Sequence, residues 1–72
     1  MNDPHSRPVP ADAWQYLQLA AIAYRMYLRR GGDLQQLRQS LQYGRHALDH
    51  GAQISALVDL LERVRATEAK AK

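Results

Sequence analysis

Apolar side chains recur at steps of three and four along most of the chain from Ala11 to Ala66, the period of a helix with one buried face. Three segments carry that period. The first runs from about Asp12 to about Arg30. Asp12 offers a carboxylate to first-turn amides, and Gln15 follows at the capping-box spacing. Arg25, Arg29 and Arg30 place positive charge in the last turns, where it complements the helix dipole. Gly31 and Gly32 stop the helix, because glycine takes the left-handed conformation that helix ends use.

The second segment opens at Asp33, an N-cap residue with Gln36 again at the capping-box spacing. Leu34, Leu37, Leu41, Gly44 and Leu48 then form a narrow apolar seam. Gly44 costs about 1 kcal/mol of helix propensity relative to alanine. Its place on the seam predicts close approach by a neighbouring helix. The segment should end near His50, with Gly51 just beyond. The third segment carries Ile54, Leu57, Val58, Leu61 and Val64. It should fade after Ala66, since the remaining residues include good helix formers but no apolar face to anchor them.

The expected fold is all-α. The short connection Arg30–Asp33 forces the first two helices into an antiparallel hairpin. Gly51 alone argues that helices 2 and 3 are separate and not one long bent helix. The product is a helical hairpin plus a third helix, as a three-helix bundle or a helical dimer. Residues 1–10 hold Pro4, Pro8 and Pro10 and read as a disordered arm. Residues 11–66 form one helical domain, and residues 67–72 a frayed basic tail.

Helix 1 is more apolar than one buried face requires. Trp14, Leu17, Ala21, Tyr24 and Leu28 make one stripe, expected to pair with the leucine seam of helix 2. Tyr16, Ala20, Ala23 and Tyr27 make a second, and Leu19, Ile22 and Met26 a third. A helix apolar nearly all round is expected to be covered on several sides. The second stripe is the first candidate for a partner-binding face, with Leu19, Ile22 and Met26 beside it. Its alanines admit a close helix, and tyrosine is enriched at interface hot spots. The alternative is that helix 3 folds back and covers this stripe, giving a self-sufficient bundle.

Composition narrows the function. A chain of 72 residues buries only about 60% of the surface its unfolded form exposes. Small scaffolds usually add disulfides, a metal or a partner chain. The absence of cysteine excludes disulfides, thiol chemistry and thiolate metal sites. Association remains, with a foreign protein or with a second copy in a two-fold dimer. The formal charge is +3, and between Ala11 and Ala66 seven arginines face five acids. A dedicated nucleic-acid binder shows a denser basic stripe. No apolar run is long enough for a membrane span, and the first ten residues lack the pattern of a secretory signal. A soluble, cytoplasmic protein is expected.

The remaining constellations are weaker. His46 and His50 lie one helical turn apart, a spacing that can hold a metal, but Ala47 stands beside His46 and no thiolate can complete a tetrahedral set. Solvated histidines are expected, with no metal and no cofactor. Ser40 and Ser55 have no base at an obvious spacing, and Gly31-Gly32 is followed by aspartate and not by the lysine of a phosphate loop. No catalytic residue, enzymatic activity or small-molecule substrate is expected. The stretch Tyr43–Leu57 has Ala47 and Gly51 at helix-turn-helix spacing, with Leu57 and Leu60 where a recognition helix packs inward. Its outward face offers Gln53, Ser55, Ala56, Asp59 and Glu62, and the two acids would meet DNA phosphates.

The run Leu28-Arg29-Arg30-Gly31-Gly32-Asp33-Leu34-Gln35-Gln36-Leu37, followed by Ala47-Leu48-Asp49, resembles the small co-chaperones of bacterial type III secretion. That resemblance implies a helical hairpin that pairs with a helical-repeat chaperone. The sequence as a whole leads to a non-enzymatic protein-binding module, an adaptor, co-chaperone or regulator, acting through an apolar face of helix 1. The alternative is a small DNA-binding regulator.

Overall fold

The structure, a computed structural model, describes residues 9–70. It holds three helices, α1 (Ala11–Arg29), α2 (Leu34–Asp49) and α3 (Ile54–Lys70). The proline-rich arm expected over residues 1–10 falls mostly outside the described residues. Its last two residues are packed. Val9 rests on the core, and Pro10 caps α1.

Asp12 is not the cap of α1. Pro10 has φ −54° and ψ 146°, and its carbonyl already accepts from the Trp14 amide at 2.8 Å. The helix therefore begins one residue before Asp12, whose charge sits inside the first turn near the positive end of the dipole. Asp33 does cap α2, its Oδ1 accepting from the Gln35 amide at 3.0 Å.

Both inter-helix breaks use one device. At the end of α1 the Gly32 amide donates to the Tyr27 carbonyl at 3.0 Å and Gly31 donates to Leu28 at 3.4 Å. At the end of α2 the Ala52 amide donates to Ala47 at 2.9 Å and Gly51 donates to Leu48 at 3.1 Å. This paired pattern closes a helix when the residue past the cap is left-handed. Gly31 at φ 69° and Gly51 at φ 103° supply that conformation. The single glycine at Gly51 is enough to separate α2 from α3.

α1 is the central element and packs against both other helices. α2 runs antiparallel to it, with Tyr16 beside His46 and His50 at one end and Ala20 beside Ser40 further along. α3 returns alongside α1 in the same sense. Trp14 and Leu17 lie near Ala56 and Leu60, and Leu28 lies near Glu68.

The α1–α2 seam is built from small residues. Ala13, Leu17, Ala20 and Ala23 are buried on α1, and Ser40, Gly44 and Ala47 on α2. The Ser40 hydroxyl donates to the Ala20 carbonyl at 2.8 Å, which requires the two backbones to lie close. The leucine seam expected to face α1 is therefore displaced. Leu34 and Leu41 are 67% and 61% exposed, because the smaller face allows the tighter contact. Gly44 meets its predicted close neighbour, which is Leu57 of α3. A Cβ on Gly44 would stand 2.9 Å from Leu57 Cδ2.

α3 does not fade after Ala66 but continues to Lys70. The anchor is polar and so left no apolar signal. Glu68 is buried, with its carboxylate 3.1 and 3.2 Å from Arg29 Nε and 3.5 Å from Arg25 Nε. A single acid thus ties the end of α3 to the end of α1. Residues 71 and 72 of the expected tail lie outside the described residues.

Candidate interaction surface

The chain hides few of its large side chains. Among the described residues the buried apolar set is Ala13, Leu17, Ala20, Ala23, Ala47, Ala52 and Val64, and Leu17 is the one large side chain that is fully enclosed. Seven large apolar residues are instead exposed, namely Trp14, Leu19, Ile22, Leu34, Leu41, Ile54 and Val58. Burial of apolar area is the dominant favourable term in folding and in most association. The chain by itself leaves much of that term unused.

The expected partner-binding residues divide into two groups. Ala20 and Ala23 are 0% and 4% exposed, while Tyr16 and Tyr27 are half-buried. This stripe is core. α2, not helix 3, covers it, because alanine is the residue that lets Ser40 and Gly44 come close. Of the stripe Trp14, Leu17, Ala21, Tyr24 and Leu28, assigned from the sequence to α2, Trp14, Leu17 and Leu28 border α3, and Leu17 also packs with Ala47 of α2. Leu19 and Ile22 stay exposed and Met26 half-buried on the outer side of α1, away from both other helices. Of the original candidates, only this outer stripe is free to touch another chain.

The structure adds a second apolar face between α2 and α3. At about 100° per residue, Leu34 and Leu41 project from the side of α2 next to its Gly44–Leu57 contact. Ile54 and Val58 project from the matching side of α3, with Leu37, Leu48, Leu57 and Leu61 half-buried between them. α2 and α3 approach each other weakly. The two helices therefore form the walls of an open apolar cleft. The sequence did carry a signal for it. Arg38 and Arg45 interleave with Leu34 and Leu41 on one face of α2, a pattern foreign to a buried seam.

A hollow at the other side of α3 is lined by Val9, Trp14, Leu17, Ala56 and Leu60, with Asp59 and Arg63 at its edge. Trp14 keeps 46% of its surface exposed there. It offers no nucleophile beside a base, since Ser55 is its one hydroxyl and no histidine lines it. His46 and His50 stand on the exposed surface, their rings 5.3 and 4.9 Å from Tyr16. His50 Nδ1 lies 2.8 Å from the His46 carbonyl, so that nitrogen is the protonated one and donates. Among the described residues no group of three or more His, Cys, Asp or Glu could hold a metal ion. No described helix is long and apolar enough to cross a membrane.

No family model, no curated protein and no solved structure matches this chain.

Proposed function

We propose that the chain is a non-enzymatic protein-binding module that presents helical apolar faces to another polypeptide. One observation carries this reading. Among the described residues a single large side chain is fully enclosed while seven large apolar ones stand exposed. An apolar patch of this kind on a small domain marks an interaction site. Two faces are available, the outer stripe of α1 (Leu19, Ile22 and Met26) and the α2–α3 cleft. A small adaptor, a regulator, or a co-chaperone that pairs with a helical chaperone would each use such faces. The DNA-binding alternative is weaker, because the exposed side of α3 carries Asp59 and Glu62, which would repel phosphate.

The test is affinity capture from the host with the tagged chain, followed by mass-spectrometric identification, with sedimentation of the purified protein alongside. The expected result is one protein retained by the native chain and lost with Ile22→Asp or Leu41→Asp, or self-association lost with the same changes. A stable monomer of high melting temperature that retains no protein would overturn the reading. Salt separates the alternatives. DNA binding falls steeply as salt rises through counterion release, whereas apolar helix packing persists.

A further inference from the structure

The α2–α3 cleft has a chemical character beyond its apolarity. The pattern Leu34, Leu37, Leu41, Arg45 recurs on α3 as Ile54, Leu57, Leu61, Arg65, each pair 20 residues apart (54 − 34 and 65 − 45). Both helices thus present the same sequence of apolar teeth ending in arginine. On α2, Leu34, Arg38, Leu41 and Arg45 fall within about 60° of one another. On α3, Ile54, Val58, Leu61 and Arg65 do the same.

Ala20 on α1 meets Ser40 of α2, while Trp14 and Leu28 border α3, so the two helices stand on adjoining sides of α1. Leu57 against Gly44 forms the junction at the base. Exposed Leu34 and Leu41 line one wall, and exposed Ile54 and Val58 the other. The groove along such a pair of neighbouring helices accepts a third helix laid in it.

The rim is basic. Arg38, Arg45 and Arg65 are all exposed, and the ion pairs found among the described residues engage Arg25 and Arg29 instead. Glu62 on α3 and Asp49 at the end of α2 are exposed acids on the same helices, and Glu68, which borders the same hollow as Arg65, is already held by Arg25 and Arg29. Three arginines against two acids favour a negatively flanked ligand. A second copy fits less well, since a two-fold contact through this face sets the same arginines against each other. A lipid surface fits less well too, because the face lacks the tryptophan and tyrosine enriched at membrane interfaces.

We infer that the α2–α3 cleft docks an acidic amphipathic helix of another protein, its apolar stripe between Leu34/Leu41 and Ile54/Val58 and its carboxylates against Arg38, Arg45 and Arg65. The inference rests on the protein-binding reading and names the partner's chemistry at one of its two faces.

The experiment uses the full chain and three fluorescent synthetic peptides followed by anisotropy. One peptide is a helix with leucines at three–four spacing flanked by glutamate. The second replaces each glutamate with lysine, and the third replaces each leucine with glutamine. The glutamate peptide should bind about tenfold or more tightly than the lysine peptide, and the glutamine peptide should not bind. Leu41→Asp and Val58→Asp should abolish binding while helicity by circular dichroism is retained, since both side chains are already exposed. Gln39→Asp, at an exposed position on the other side of α2, should leave it unchanged. The double change Arg38→Glu with Arg45→Glu should reverse the preference toward lysine.

Equal affinity for both charged peptides, or no binding of either, overturns the inference. So does a dimer that Leu41→Asp dissociates, or binding to anionic vesicles that Leu41→Asp removes. The broader reading fails differently. If the peptides do not bind but Ile22→Asp still loses a captured protein, protein binding stands and only the cleft assignment falls.

Discussion

Leu17→Ala is the perturbation to which this fold should be most sensitive. Leu17 is 1% exposed and lies among Ala13, Ala47, Ala52, Leu57 and Leu60. Truncating a buried leucine costs about 2–5 kcal/mol, the transfer term plus a term for the cavity left behind. The fully buried neighbours here are alanines, which have no side chain to swing into the space, while Val9, Tyr16, Leu57 and Leu60 pack at the edge of the cluster. The cavity should persist, and the cost should reach about 3 kcal/mol or more. A domain of 72 residues has about 4–11 kcal/mol of stability in total, from roughly 0.05–0.15 kcal/mol per residue. A small chain lies toward the lower end, so this one truncation removes a large part of it. At about 4–8 °C per kcal/mol the melting temperature should fall by about 12–24 °C. Ile22→Ala, at 56% exposure, should stay within about 0.5 kcal/mol. Thermal and urea unfolding followed by circular dichroism, at one protein concentration, measures both. A loss for Leu17→Ala below about 1 kcal/mol, or one matched by Ile22→Ala, would refute the assignment of the core to this residue.

Two further outcomes follow from the packing. Ala20→Glu should abolish cooperative folding, since it drives a carboxylate into the contact with Ser40, whereas Ile22→Glu should keep native helicity; circular dichroism and Trp14 fluorescence distinguish the two. Glu68→Gln should destabilise by about 0.5–1 kcal/mol, a modest figure because Arg25 and Arg29 remain largely exposed and solvent screens the pair. That loss should shrink as salt rises, which urea titrations at low and high salt will show.

The helices were legible in the sequence because their signals are local. The three–four period, Asp33 as a cap, and the glycines at Gly31 and Gly51 each act within one turn of chain. Which stripe of α1 faces which helix was not legible, because both stripes are apolar and periodicity cannot rank them. Size ranks them instead. The alanine stripe met the Ser40–Gly44–Ala47 face of α2, and the larger residues were left for α3 and solvent. Gly44 hinted at this choice and was read correctly as a close approach, but its neighbour proved to be on α3. The end of α3 escaped detection because Glu68 is a charged residue doing a core residue's work through arginines 39 and 43 positions away (68 − 29 and 68 − 25). No local rule connects residues at that separation.

The thin core and the open faces have one physical origin. Alanine, serine and glycine bring α1 and α2 close, and a close seam between small residues contains little apolar area. The leucines and isoleucines that would have enlarged the core are displaced outward by that same closeness, onto the α2–α3 cleft and the outer stripe of α1. A ligand that binds only the folded chain adds RT ln(1 + [L]/Kd) to its stability, about 2.7 kcal/mol at one hundred times Kd. For a domain in the lower range of stability this is a substantial gain. Binding at these faces and completion of the fold then become one event energetically, because a partner helix in the cleft would bury Leu34, Leu41, Ile54 and Val58 as a fourth helix would. The apparent melting temperature should therefore rise with the concentration of that partner.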